Sequence, residues 1–274
     1  MIAAGEGRAI APGEGRAIAV GEGRAIALHP LAESFADVAG AYERGRPEYP
    51  PAVVGAIAAE LGLAVGAPVL DLAAGTGKLT RALLTAGFDV VAVEPQASLR
   101  AILAQRAGAA RVRHGVAEAI PLPADSVAAV TVADAFHWFD HAAALAEIRR
   151  VLRPQGGLAV LVTVPDWSGA SWAHEVGTAL ADLRAAHPLY DGPQWLDHVR
   201  AAPGWADPRE IRVTTAQPAD PERVLDYIAS ISWMAALPQG ERDEALARIG
   251  ALVRAGETPA QLPLHVIVHL VTVL

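Results

Sequence analysis

Val69-Leu70-Asp71-Leu72-Ala73-Ala74-Gly75-Thr76-Gly77-Lys78-Leu79-Thr80 is the stretch on which the fold turns. A short apolar run passes into a turn of small residues and then into a helical pattern, with Leu79, Ala82, Leu83 and Ala86 at i, i+3, i+4 and i+7. Glycines in such a turn tolerate positive φ and let a ligand approach the backbone, and the helix start offers unpaired N–H groups. Spacing tests two nucleotide readings. A phosphate-binding loop of the G-x-x-x-x-G-K-[ST] kind needs glycine at Leu72 and a hydroxyl at Leu79, so it fails twice. A G-x-G-x-x-G dinucleotide fingerprint uses Gly75 and Gly77 but meets Thr80 in place of its third glycine. An NAD(P)-dependent oxidoreductase is weakened by that substitution and stays open as an alternative.

Outward from this unit, strand-like and helix-like runs alternate. Val90–Val93, Val127–Ala133 and Leu158–Val164 are nearly continuous apolar runs, as expected of strands covered on both faces. Leu145, Ile148 and Leu152 form a helical stripe, and Arg153-Pro154-Gln155-Gly156-Gly157 punctuates the passage back to strand. The alternation predicts an α/β fold, a doubly wound and mostly parallel sheet with right-handed crossovers. Farther on, Ser168–His187, Pro221–Ala236 and Gly240–Ala255 look helical, and Ile211–Thr215 and Leu264–Val273 look like strands. These pieces are expected to complete the sheet and cover its binding edge.

Gly-Glu-Gly-Arg-Ala-Ile-Ala occurs three times, at Gly5–Ala11, Gly13–Ala19 and Gly21–Ala27. Each copy has one large apolar side chain, too little to offset ordering entropy. Residues 1–28 therefore read as a flexible repetitive tail and 29–274 as one domain with its core at about 66–165.

Among 274 residues, 30 are acidic and 22 basic, for a formal net charge of −8, which disfavours a nucleic-acid partner. The 53% hydrophobic content supplies a core, and the absence of cysteine excludes disulfides, thiol nucleophiles and cysteine-held metals. It also fits a cytoplasmic protein. No stretch reaches the roughly 20 apolar residues of a membrane span. Lys78 is the only lysine, a bias that reads as codon usage.

Glu94 follows Gly75 by 19 residues, at the end of the second strand, where a carboxylate can accept hydrogen bonds from both hydroxyls of a ribose. With that residue in place, the chain resembles the class I S-adenosylmethionine-dependent methyltransferases. Leu70–Gly77 and Val93-Glu94-Pro95 carry the likeness. It continues in Ala117–Pro123, Ala135–Asp140 and Glu147–Gly157, and Phe35–Pro50 is similar to a bacterial small-molecule branch.

The resemblance implies a seven-stranded Rossmann-like sheet with a helical cover, S-adenosylmethionine as cofactor and a small-molecule methyl acceptor. It also implies roles for particular residues. Ala73, Gly75, Thr76 and Gly77 would pass beneath the methionine part of the cofactor, supported by Asp71. Glu94 would hold the ribose, with Pro95 and Gln96 beside the adenine and Ala117 at its edge. Relatives often carry aspartate where Val116 stands, which leaves Glu118 as a substitute. Tyr42 and Arg46 would close over the methionine carboxylate. Asp134 would adjoin the cofactor, Phe136, Trp138 and Phe139 would meet the acceptor, and His137 is the candidate base. No metal site is expected. Relatives often place Trp-Asn where this chain has Val162-Thr163, so a non-catalytic S-adenosylmethionine-binding protein is the other alternative, and oligomeric state is unspecified.

Overall fold

Apolar runs flanked by glycine turns and helical stripes have one economical solution, strands buried on both faces between helices. The computed structural model describes residues 17–20, 24–28, 38–108, 110–168, 171–184, 195–255 and 261–274. Its sheet has seven strands: β3 (Pro68–Leu72), β4 (Asp89–Val93), β5 (Arg111–Arg113), β6 (Val127–Ala133), β7 (Leu152–Pro165), β8 (Arg209–Pro218) and β9 (Gln261–Thr272). The order is β5-β4-β3-β6-β7-β9-β8, with β9 antiparallel to both neighbours and the other pairings parallel. The predicted doubly wound sheet is therefore observed.

Period-two alternation divides the core between the two faces. Val69, Val90 and Ala129 pack beneath α2 (Pro51–Glu60) and α3 (Lys78–Thr85) through Val53, Ile57, Leu79 and Leu83. Leu70, Leu72, Val130 and Val132 pack on the other side against α5 (His141–Val151) and α7 (Trp195–Ala201). The order of strands reverses between β3 and β6. In an open α/β sheet that reversal leaves a crevice beyond the carboxyl ends of the strands, between diverging connections.

Three expectations need correction. The Arg153–Gly157 punctuation is part of β7, which begins at Leu152 and is paired with Val127 before a register shift to Ala129↔Gly157. Gln155 takes φ +64°, so the extra residues form an irregularity within the strand, as a bulge does. The single run Pro221–Ala236 is two helices, α8 (Pro221–Ala229) and α9 (Ser232–Ala235), because the Ser230 hydroxyl turns back to donate to the Tyr227 carbonyl at 2.6 Å. In the repeat, β1 (Ala17–Val20) and β2 (Arg24–Ala27) pair antiparallel with Ile18 opposite Ile26, where no ordered structure was expected. Residues 1–16, 21–23 and 29–37, and the predicted helical residues 185–187, lie outside the described residues.

The remaining cover is α1 (Ala39–Gly45), α4 (Ala97–Arg106), α6 (Ser171–Arg184) and α10 (Gln239–Ala255). α1 crosses α8 at close range, for a Cβ on Gly45 would stand 2.2 Å from the Tyr227 nitrogen.

Candidate functional site

The turn after β3 takes positive φ at Ala73 (55°), Gly75 (58°) and Gly77 (89°). The two glycines adopt this at little cost, but an alanine there stores about 1–2 kcal/mol. Backbone bonds hold it, from Ala74 N–H to Val93 O at 3.0 Å and from Gly77 N–H to Ala74 O at 2.9 Å. From below, buried Asp71 accepts the Thr80 hydroxyl at 2.5 Å and the Thr131 hydroxyl at 3.3 Å. Burial raises the Asp71 carboxyl to about 6 against the pull of those donors. Thr80 thus occupies the third-glycine position with a side chain built into the turn, which argues against a dinucleotide loop.

The two glycines do different work. A Cβ on Gly77 would meet Leu103 Cδ1 at 2.5 Å, so its smallness serves helix packing. Gly75 lies under Tyr42, the nearest ring atoms 4.0 Å from a Cβ placed there, an ordinary contact distance.

Glu94 closes the turn from the next strand. Its side chain is buried, with Oε2 accepting Gly75 N–H and Oε1 accepting Gln96 N–H, both at 2.8 Å. Each carboxylate oxygen has a second acceptor position. Burial pushes the carboxyl up to about 7, opposed by the N–H groups of Gln96 and Gly75 and by Arg100.

Around this turn lies a cavity of about 790 Å³, open to solvent. Tyr42, Ala73 and Gly75 wall it on one side, and Glu94, Pro95 and Gln96 stand behind. Ala117 and Glu118 come from the loop after β5. Asp134, Trp138 and Phe139 arrive beyond β6. Eleven of the residues expected from the sequence thus meet around one space. Glu118 also accepts Asp140 N–H at 2.9 Å, which ties its loop to the start of α5. Asp134, at φ +52°, accepts Thr163 N–H at 2.8 Å and the Tyr49 hydroxyl at 3.3 Å. Burial raises its carboxyl above the ordinary range, and Arg46 draws it back.

Six expected residues stand off the wall. Asp71, Thr76 and Gly77 lie beneath the turn and support it. Arg46 is stacked between the rings of Tyr42 and Tyr227, at 5.4 and 4.7 Å from their centroids, and donates to the Ser230 hydroxyl and carbonyl. Its Nη1 makes no hydrogen bond among the described residues. Phe136, expected against the acceptor, is a core residue packed among Phe139, His141 and Trp195 at 5.1–5.5 Å. His137, the expected base, lies against the Trp138 ring at 4.3 Å and outside the cavity wall. The one-turn 3₁₀ helix Phe136–Trp138 spreads three consecutive side chains in different directions, so adjacency in sequence does not mean a shared wall.

The sequence reading missed Leu28, Leu99 and Tyr49, and treated Val116 only as the place of an absent aspartate. Leu99 and Val116 add apolar surface to the cavity, and Leu28 brings the end of the N-terminal hairpin to it. Leu99 follows from the phase of α4, but no local pattern marks Leu28.

Residues 70–160 match the family described as methyltransferase domain. The chain is 36% identical over 223 residues to an uncharacterized methyltransferase of Mycobacterium tuberculosis, covering 81% of this chain and 86% of that protein. A solved structure from Anaeromyxobacter dehalogenans, described as a type II methyltransferase, superposes with a TM-score of 0.57 at 24% identity, covering 83% of this chain and 97% of that one. A Haemonchus contortus phosphoethanolamine N-methyltransferase, in complex with phosphomonomethylethanolamine and S-adenosylhomocysteine, gives 0.52 at 16% identity, covering 87% and 57%.

Proposed function

Since the chain belongs to the class I S-adenosylmethionine-dependent methyltransferases, we propose that its cavity binds S-adenosylmethionine and opens onto a small-molecule acceptor of the bacterial small-molecule branch. The carrying observation is Glu94, whose two oxygens are oriented by Gly75 and Gln96 and whose remaining acceptor positions suit a pair of vicinal hydroxyls. Bound there, the cofactor supplies a sulfonium-activated methyl group for in-line transfer to a nucleophilic atom of the acceptor.

Residues of this chain do the remainder by binding and orientation. Ala73 and Gly75 present a floor without bulky side chains, and Pro95, Gln96 and Ala117 border the adenine. Tyr42 covers the methionine end, where the open Nη1 of Arg46 is available to a carboxylate. Trp138 and Phe139 offer aromatic faces to the sulfonium, worth about 0.5–2 kcal/mol. Alignment of this kind can supply roughly 7–11 kcal/mol of the barrier. A protein base is not required by that scheme. A cytoplasmic setting belongs to the same reading. Among the described residues, no helix is long and apolar enough to cross a membrane.

Titration of the full chain with S-adenosylmethionine tests the proposal, with saturable one-site binding expected. A folded sample that binds none of it would reject the cofactor. The pH dependence carries its own prediction. With the Glu94 carboxyl near 7 in the free protein, the ionised acceptor form is populated above that pH and lost below it. Affinity should therefore fall about tenfold from pH 8 to pH 6, and binding at pH 7 should release about half a proton. Calorimetry in buffers of different ionisation enthalpy reads both, and a flat profile would show that Glu94 is already ionised at pH 6.

A further inference from the structure

Lys78 is the only lysine among 22 basic residues, and its side chain is 7% exposed. It opens α3, where the helix dipole disfavours a cation, and a buried ammonium is costly unless paired. The compensation comes from outside the helix. Nζ lies 2.8 Å from Glu48 Oε1 and 3.9 Å from Glu43 Oε2. Arg81, one turn along, donates to both Glu48 oxygens at 2.8 and 2.9 Å. Arg81 and Arg106 reach the other Glu43 oxygen, Oε1, at 3.4 and 3.3 Å. Glu43 Oε2 is buried without a hydrogen bond, and the Lys78 ammonium stands 3.9 Å from it. These contacts join α1 and the segment after it to α3 and α4. Glu43 follows Tyr42 on α1, and Lys78 follows the Ala73–Gly77 turn, so the two ends of the bridge adjoin two elements that meet in the cavity wall.

We infer that Lys78 is a positioning residue: its ammonium, set between Glu43 and Glu48, holds α1 against the turn so that Tyr42 stays over Gly75 and the bound cofactor. The compact head of a lysine suits two carboxylates converging on one point, which a planar guanidinium fork does not. The inference rests on the cofactor reading above, and its test separates the two.

The full chain is titrated with S-adenosylmethionine as wild type, Lys78→Met, Tyr42→Ala, the double variant, and Arg209→Met. The last removes a surface ion pair to Glu60 (2.7 Å) remote from the cavity. Lys78→Met is expected to raise Kd about tenfold and Arg209→Met to leave it unchanged. In the Tyr42→Ala background the Lys78 effect should shrink to less than about twofold, since residues acting through one another are not additive. A folded Lys78→Met protein within twofold of wild type would overturn the inference, as would losses that simply multiply. If Lys78→Met does not fold, Glu43→Gln removes this attraction together with those of Arg81 and Arg106; weaker binding that disappears in the Tyr42→Ala background supports the bridge, and wild-type affinity or a loss that persists there overturns it. A wild type that binds no S-adenosylmethionine defeats the cofactor reading itself, whereas binding that ignores Lys78 defeats only the positioning role.

Discussion

Glu94→Ala is expected to weaken S-adenosylmethionine binding by at least about a hundredfold. Two hydrogen bonds from ribose hydroxyls to a charged carboxylate are each worth about 1.5–3 kcal/mol, and a hundredfold in Kd needs only about 2.7 kcal/mol. The substitution also removes the acceptor of Gly75 N–H and of Gln96 N–H. A buried donor left unpaired costs about 1–3 kcal/mol, so the turn loosens as its ligand contacts disappear. Glu94→Gln keeps the shape but replaces one acceptor oxygen with a donor, and its loss should be intermediate. Calorimetric titration of the two variants reads the order. Wild-type affinity in the folded alanine variant would show that the ribose lies elsewhere.

Phe136→Ala should cost about 3–5 kcal/mol of stability, the range for a large aromatic truncated in a packed core. The ring is 1% exposed and is enclosed by Phe139, His141 and Trp195, so its removal opens a cavity between α5, α7 and the sheet. Urea denaturation measures this directly. A ring on an open acceptor wall, the role expected from sequence, would lose less than about 1 kcal/mol and change substrate affinity instead. A small stability change would therefore restore Phe136 to the acceptor site.

These two residues mark the limits of reading a site along the chain. The place of Glu94 at the cavity was legible because it depends on a strand end and a fixed distance from a glycine turn, and both are written locally. Asp71, Ala73, Gly75 and Gly77 were legible for the same reason. The Phe136–Phe139 stretch was not separable into core and wall, because the direction of each side chain depends on how a single 3₁₀ turn lies on the sheet. Arg46 shows a related limit. Its spacing from Tyr42 suggested a shared task, but its Nε and Nη2 are engaged by Ser230, 184 positions away. No local pattern announces such a partner.

Period and punctuation alone determined that strands would alternate with helices in a doubly wound sheet, since a buried strand and an amphipathic helix each impose their own spacing on apolar residues. They also determined that the first β–turn–α unit and the acid after the second strand would lie together beside the cavity. Tertiary structure alone decided which aromatic ring faces the cavity, which cation is engaged by the cover, that Leu28 reaches the wall, and that a lone lysine bridges two helices. Those outcomes depend on contacts between segments far apart in sequence, where the energy belongs to the pair and neither member carries it alone.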